Sequence, residues 1–271
     1  LKGAIRELLA TEFLTSLGVP TSQTFSIIET AEELQRNDEP SPTRSAVLVR
    51  RSNSHIRIGT FQRLKYFKEY DNIALLLNHL SENYFTNLKS KKNIKILAEN
   101  IFLESVKRIA ESMGRIVIAG FVHGVLNTDN FNVTGEVFDY GPWRFIEFAN
   151  TYFTAAYFDN NGRYSFGRQP EAALWALTQL GKSLDEFIEE NIIIETLNQF
   201  SKSFHESLKK HFCWRMGIQD IDSKNLNEII TTLLNESEKN KIVYADMFYD
   251  FYGGKDSILD CIKTSYGKKY Q

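Results

Sequence analysis

Between His123 and Pro142 the chain reads HGVLNTDNFNVTGEVFDYGP. Asp129 and Asn130 stand side by side, Asp139 follows nine residues after Asn130, and Gly141-Pro142 close the stretch. Magnesium is a hard cation that takes oxygen ligands and usually shares only one or two protein side chains with substrate phosphates. An Asn and an Asp drawn together by a short hairpin, with a second Asp left over as a base, are what a magnesium–nucleotide site needs. The competing explanation for Thr128-Asp129-Asn130 is a capped turn, where these residue types are common.

The elements around this stretch decide whether those side chains can meet. Residues 131–133 and 136–138 flank Thr134-Gly135 as a short hairpin whose turn brings Asn130 and Asp139 together. Residues 2–17 read as an amphipathic helix, with Ile5, Leu8, Leu9, Phe13 and Leu14 at helical spacing, ending at Gly18-Val19-Pro20. Two β-like runs, 24–29 and 46–51, are joined by a polar connector, 35–44. Helical periodicity then covers 71–83 and 92–114, the latter continuing toward 116–121. After Pro142 an aromatic-rich irregular segment runs to Pro170, followed by helices over 171–180, 184–215, 225–234, 242–252 and 255–265. The expected fold class is α+β, a small β-containing piece followed by a mostly α-helical body.

Composition narrows the class further. The 271 residues are 42% hydrophobic with a formal net charge of −2, ample for a buried core and without the basic footprint of a nucleic-acid binder. No apolar run approaches the about 18 residues of a membrane span. Cys213 and Cys261 have neither disulfide nor zinc spacing, which makes a reducing compartment the default. The Lys-, Asn- and Ile-rich composition points to a bacterial cytoplasm, or to mitochondria in a eukaryote. The chain opens at Leu1 directly into a helix, so its start is expected to lie upstream. His79, His205 and His211 read as surface or satisfied helix residues. Trp143, Tyr152, Phe153 and Tyr157 read as core aromatics before stacking platforms.

Protein kinases assemble a catalytic-loop Asp, a metal-binding Asn and the Asp of a D-F-G triplet. The triplet here is Asp139-Tyr140-Gly141, and the candidate catalytic Asp abuts the Asn. Further motifs converge on one family. Leu48-Val49-Arg50, Ser54-His55-Ile56-Arg57, Gly59-Thr60-Phe61, HGVLNTDN, DYGP, Gly162-Arg163-Tyr164-Ser165-Phe166 and Arg168-Gln169-Pro170, in that order, resemble the selenoprotein O (YdiU) family. The opening Ile5-Arg6-Glu7-Leu8-Leu9 with Gly18-Val19-Pro20-Thr21 looks like the same family's helix after its ATP-binding strands. The resemblance runs from residue 1 to about 217.

The resemblance implies a protein-kinase-like fold: a partial N-lobe over 1–59, a C-lobe over 60–217 and a C-terminal helical extension over 218–271. It implies transfer of AMP from ATP to hydroxyls of protein side chains, with ATP and acceptor proteins as partners. Asp129 would be the general base, Asn130 and Asp139 would hold Mg2+ (or Mn2+), Arg50 and Arg57 would grip the outer phosphates, and Glu7 would pair with a phosphate-binding lysine. Arginine suits the phosphate role because its planar fork matches phosphate oxygens. His123 would support the catalytic loop structurally. The family's glycine-containing nucleotide loop and its lysine do not precede Leu1, so the chain reads as the middle and C-terminal part of such an enzyme. Without that lysine, the helix around Glu7 is expected to be rotated outward or mobile. Ordinary phosphotransfer, a non-catalytic pseudoenzyme and a helical interaction domain are the competing readings.

Overall fold

A computed structural model describes residues 1–35, 37, 40–88, 93–218 and 223–253. The element order is α1 (Lys2–Ser16), β1 (Gln23–Leu34), β2 (Thr43–Arg51), α2 (Ile58–Tyr66), α3 (Tyr70–Asn83), α4 (Ile94–Ala119), β3 (Phe121–His123), β4 (Trp143–Phe145), α5 (Gln169–Ser183), α6 (Glu190–Met216), α7 (Ser223–Asn240) and α8 (Tyr244–Asp250). Helices dominate, and the strands form two antiparallel pairs, β1–β2 and β3–β4. The α+β class is therefore as expected.

The two long helices build the body. Asn93 caps α4 by accepting the Lys95 N–H at 2.9 Å, and Gly120 ends it in the left-handed conformation at φ +73°. Its apolar side, including Leu97, Ile101, Phe102, Val106, Ile109 and Met113, is buried with Leu177 and Leu180 of α5 and Phe200 of α6. Where α4 meets α6, Gly114 admits the α6 backbone. A Cβ there would lie 2.7 Å from the Leu208 nitrogen and 2.9 Å from the Phe204 oxygen. A second core joins the ends of α4 and α6 to α7 and α8 through Ile118, Phe212, Met216, Ile230, Tyr244 and Phe248. Tyr244 closes it, donating its N–H to the Glu147 carbonyl at 2.7 Å and its hydroxyl to the Val117 carbonyl at 3.0 Å.

Several expectations need correction. The apolar stripe expected on α1 divides: Ile5, Leu9 and Phe13 are exposed, Leu8 is half-buried, and Leu14 is buried beside Glu7, Ala10 and Thr11. The helix packs by the face that carries its acid. The β-hairpin reaches into the polar connector, with a register shift between Glu29 and Glu33 around Ala31 at φ +60°, a bulge that lets polar residues continue the ladder. Residues 184–215 are not one helix. Leu184 and Ile188 turn into the core, and the Phe187 and Ile188 N–H groups both bond to Leu184, ahead of α6 at Glu190. The segment after Pro142 is not wholly irregular, since Trp143–Phe145 pairs with Phe121–His123. Helix 225–234 is part of the longer α7. Within 242–252 the helix is α8, and the helix expected over 255–265, with Cys261, lies outside the described residues.

Gly114→Ala should lower stability by about 1–3 kcal/mol in urea denaturation, because the added methyl meets rigid backbone, even though alanine is the better helix former. An unchanged or higher denaturation midpoint would mean that the α4–α6 approach yields without cost.

Candidate active site

The loop after β3 begins at His123, whose ring is wholly buried. Its Nδ1 accepts the Val125 N–H at 3.2 Å, which leaves the proton on Nε2 to be donated to the Phe138 carbonyl at 3.3 Å. Burial pushes this imidazole down to about 4, so it is neutral near pH 7 and ties the loop to the segment before Asp139. The structural role expected for His123 fits this geometry. Gln169 at the start of α5 holds the strand behind it, accepting the His123 N–H at 2.9 Å and donating to the Phe121 carbonyl at 2.9 Å.

The turn that carries Asp129 and Asn130 is built by Asn127. Its Oδ1 accepts the Asp129 N–H at 2.8 Å, and its carbonyl accepts the Asn130 N–H at 3.1 Å. Asn130 is buried. Its amide nitrogen donates to the Phe138 and Asp139 carbonyls at 3.3 and 3.4 Å, and its amide oxygen accepts the Asn127 N–H at 3.2 Å. The expected hairpin is present as a tight turn with a single bridge, Phe131 to Val137. Gly135 makes it possible at φ +105°, where a Cβ would strike Arg108 at 2.8 Å. The turn does bring Asn130 and Asp139 into contact.

Asp139 sits at φ +62°, a left-handed conformation uncommon outside glycine. Glu7 holds it there. The Glu7 carboxylate accepts the Asp139 N–H at 3.0 Å, the Tyr140 N–H at 2.7 Å and a hydrogen bond from Arg50 Nη1. Glu7 is only 6% exposed. Burial pulls its carboxyl above the ordinary glutamate value, against the opposing pull of Arg50 and the Tyr140 amide. Tyr140 is buried behind the turn, its hydroxyl donating to the Val137 carbonyl at 2.7 Å and lying 2.6 Å from Thr21 Oγ1. Burial raises this phenol, which stays protonated. The expectation that the Glu7 helix is rotated outward or mobile is thus overturned: Arg50 is the cation, and α1 is seated. Trp143 reinforces the seat, donating Nε1–H to the Arg6 carbonyl at 3.2 Å beneath the Arg6 guanidinium.

What remains open is a pair of carboxylates. Asp139 and Asp129 are both exposed, and the Asp139 side chain makes no hydrogen bond or ion pair among the described residues. Asp129 is 61% exposed, with Arg57 Nη1 3.7 Å from its Oδ1. Arg50 and Arg57, expected on phosphates, each lie against a site acid, Glu7 and Asp129 respectively. No group of three or more His, Cys, Asp and Glu side chains capable of holding a metal occurs among the described residues. The exposed oxygen donor is the Asp139 carboxylate; the Asn130 amide oxygen, which accepts the Asn127 N–H, keeps its second lone pair, and two such donors suit a hard cation that takes most of its ligands from phosphate and water.

Other expected residues fall outside this cluster. Tyr152 and Tyr157 are 84% and 86% exposed and are not core aromatics, whereas Trp143 and Phe153 pack partly against the two cores. His79 and His205 are exposed helix residues as expected. His211 is buried and stacked on Trp214 at 4.7 Å, and its Nε2 finds no hydrogen-bond partner among the described residues. Gln169 and Thr21 stand in the sequence only as members of motifs and carry no expected role there, because a buried amide or hydroxyl that bonds to distant backbone leaves no local pattern.

Comparison with known proteins agrees with these motifs. The family described as "Protein adenylyltransferase SelO" matches residues 1–260, and the chain belongs to that family. It is 42% identical over 250 residues to the "Protein nucleotidyltransferase YdiU" of Trichormus variabilis, covering 92% of this chain and 51% of that protein. The protein of the same name from Trichodesmium erythraeum is 41% identical over 256 residues, 92% of this chain and 54% of the relative. That of Gloeobacter violaceus is 52% identical over 170 residues, 63% of this chain and 35% of the relative. The chain spans about half the length of the first two of these curated relatives. Among the described residues no helix is long and apolar enough to cross a membrane.

The neutral, buried His123 sets a pH dependence. The unfolded imidazole titrates near 6.5 and the folded one near 4, so its contribution to stability is whole above about pH 6.5 and is lost as pH falls toward 4. Between about pH 7 and pH 4 the chain should lose about 3 kcal/mol more than His123→Gln in urea denaturation. Equal losses in both would show that the ring takes up a proton without unfolding. Comparing the two proteins cancels the opposite contribution of Glu7, whose raised carboxyl gains stability as it protonates.

Proposed function

We propose that this chain carries the reaction centre of a protein adenylyltransferase of kinase-like architecture, which transfers AMP from ATP to Ser, Thr or Tyr hydroxyls of proteins. Residues 1–59 would form part of its N-lobe, 60–217 its C-lobe and 218–271 a helical extension. The observation that carries this reading is the Asp139 carboxylate, exposed and without a partner among the described residues, on a backbone held by Glu7 and touched by Asn130. A carboxylate fixed in this way and left unpaired has the arrangement of a ligand awaiting its cation. Membership of the adenylyltransferase family supports the choice of nucleotide chemistry.

In this reading the acceptor hydroxyl oxygen forms a bond to the α-phosphorus of ATP, and the bond from that phosphorus to the bridging oxygen of the β-phosphate breaks. The products are the AMP-modified side chain and pyrophosphate. The hydroxyl proton passes to the Asp129 carboxylate, which is exposed at the loop tip and can approach an incoming side chain. Asn130 and Asp139 would hold Mg2+ or Mn2+, which would neutralise charge developing on the departing phosphates. Arg57 binds Asp129 through an exposed ion pair of little intrinsic strength, so a polyphosphate can compete for it. Arg50 stays on Glu7 through one nitrogen, leaving the rest of its fork for phosphate oxygens. Cysteine usage and the bacterial relatives are consistent with the cytoplasm of a bacterium as the setting.

ATP labelled in turn at the α- and γ-phosphate, with magnesium and a generic protein acceptor, tests the reading. Label should reach protein only from the α-position and should fall to background in Asp139→Ala. Transfer of γ-label would establish phosphotransfer instead, and no transfer of either label would refute catalysis by this chain.

A further inference from the structure

We infer that Gly59 is the positioning residue for Asp129, its missing side chain being the space that the Asp129 carboxylate occupies. The inference rests on the role proposed for Asp129 as base. Gly59 stands in the first turn of α2, and a Cβ built on it would lie 3.0 Å from Asp129 Cγ and inside contact distance of Oδ1. Every atom that this Cβ would meet most closely belongs to Asp129.

Backbone conformation does not call for glycine at this position. Its backbone is not in the left-handed region, and glycine inside a helix costs about 1 kcal/mol relative to alanine. Neither backbone is free to move away. The Ile58 N–H bonds to the Phe131 carbonyl at 3.1 Å, the Gly59 N–H to the Thr128 carbonyl at 3.1 Å and the Val133 N–H to the Ile56 carbonyl at 3.0 Å. Arg57 also bridges to Asn132. Residues 56–59 are thereby fastened to 128–133, and the Asp129 side chain is the one part able to yield. Its Oδ1 is the atom nearest to a Cβ at Gly59 and also the one that faces the Arg57 guanidinium at 3.7 Å. A methyl at position 59 therefore pushes the carboxylate toward solvent and leaves Asn130 and Asp139 in place.

Gly59→Ala tests this, with Gly3→Ala, where a Cβ meets nothing within 4 Å, as the control. A crystal structure of Gly59→Ala should show the Asp129 carboxylate displaced while the bonds from Ile58 to Phe131 and Gly59 to Thr128 persist. A carboxylate in its original place would overturn the inference. In the AMP-transfer assay kcat should fall on the order of 100-fold, the cost of misplacing a catalytic group by about 1 Å, with KM for ATP within about twofold. Gly59→Ala should cause no further fall in an Asp129→Ala background. A rise in KM without loss of kcat, or an equal loss in Gly3→Ala, would contradict the inference. If the parent chain transfers no AMP, the functional reading fails, and the displacement alone decides the role of Gly59. Should Gly59→Ala not fold, the double variant with Asp129→Ala removes the clashing oxygen and should fold. Failure of the double variant as well would place the obstruction elsewhere.

Discussion

A buried carboxylate must find donors, and where Glu7 finds them determines the architecture of the site. Its partners lie on two segments: Arg50 on β2, and the amides of Asp139 and Tyr140 in the turn after the hairpin. Leaving such an acid unpaired in the interior would cost several kcal/mol, so α1, the β-hairpin and the Asp139 turn are tied to one another through a single side chain. The same two amide bonds hold Asp139 in a left-handed conformation that an unsupported aspartate seldom adopts. Strain at a non-glycine residue, held by a buried acid and released toward solvent as a free carboxylate, is what a preorganised ligand requires.

The rest of the site follows from that seat. Tyr140 is drawn under the turn and meets Thr21, and the Phe138 carbonyl is brought within reach of both His123 and Asn130. Asn130 then closes onto the Asp139 carbonyl from the other side. Several of these bonds satisfy backbone carbonyls of the segment, at Val137, Phe138 and Asp139, so the irregular loop is kept ordered with very little regular strand. The β3–β4 pair and the side chain of Gln169 fix the loop's origin from behind, and α8 packs beside that pair through Tyr244, which is buried with Val122 and bonded to the Glu147 carbonyl.

The chemistry-bearing stretch was the most legible part of the sequence, because Asp129, Asn130, the turn at Gly135 and Asp139 lie within a few residues of one another and local rules govern them. The long helices were legible for a similar reason: the cap at Asn93, the stop at Gly120 and the periodicity between them are local signals. What could not be read was decided by distant partners. The periodicity of α1 marks Ile5, Leu8, Leu9, Phe13 and Leu14 as one apolar stripe, yet the helix seats Glu7, bonded by residues more than forty positions away, beside Leu14 and leaves Ile5, Leu9 and Phe13 exposed. The strand at Trp143–Phe145 depends on Phe121–His123 rather than on its own composition. Aromatic content alone could not separate Phe153, which packs inward, from Tyr152 and Tyr157, which do not. Arg50 and Arg57 are expected on phosphates through the family resemblance, and their contacts with Glu7 and Asp129 are a matter of three-dimensional placement.

The central claim is that Glu7 presents Asp139 to a cation and nucleotide. Calorimetric titration of ATP with and without magnesium, comparing the parent chain with Glu7→Gln and Asp139→Asn, tests it most directly. Magnesium should strengthen ATP binding in the parent chain, and both variants should lose that gain while remaining folded. Glu7→Gln binding magnesium and ATP as the parent does would contradict the account, as would ATP affinity that ignores magnesium altogether.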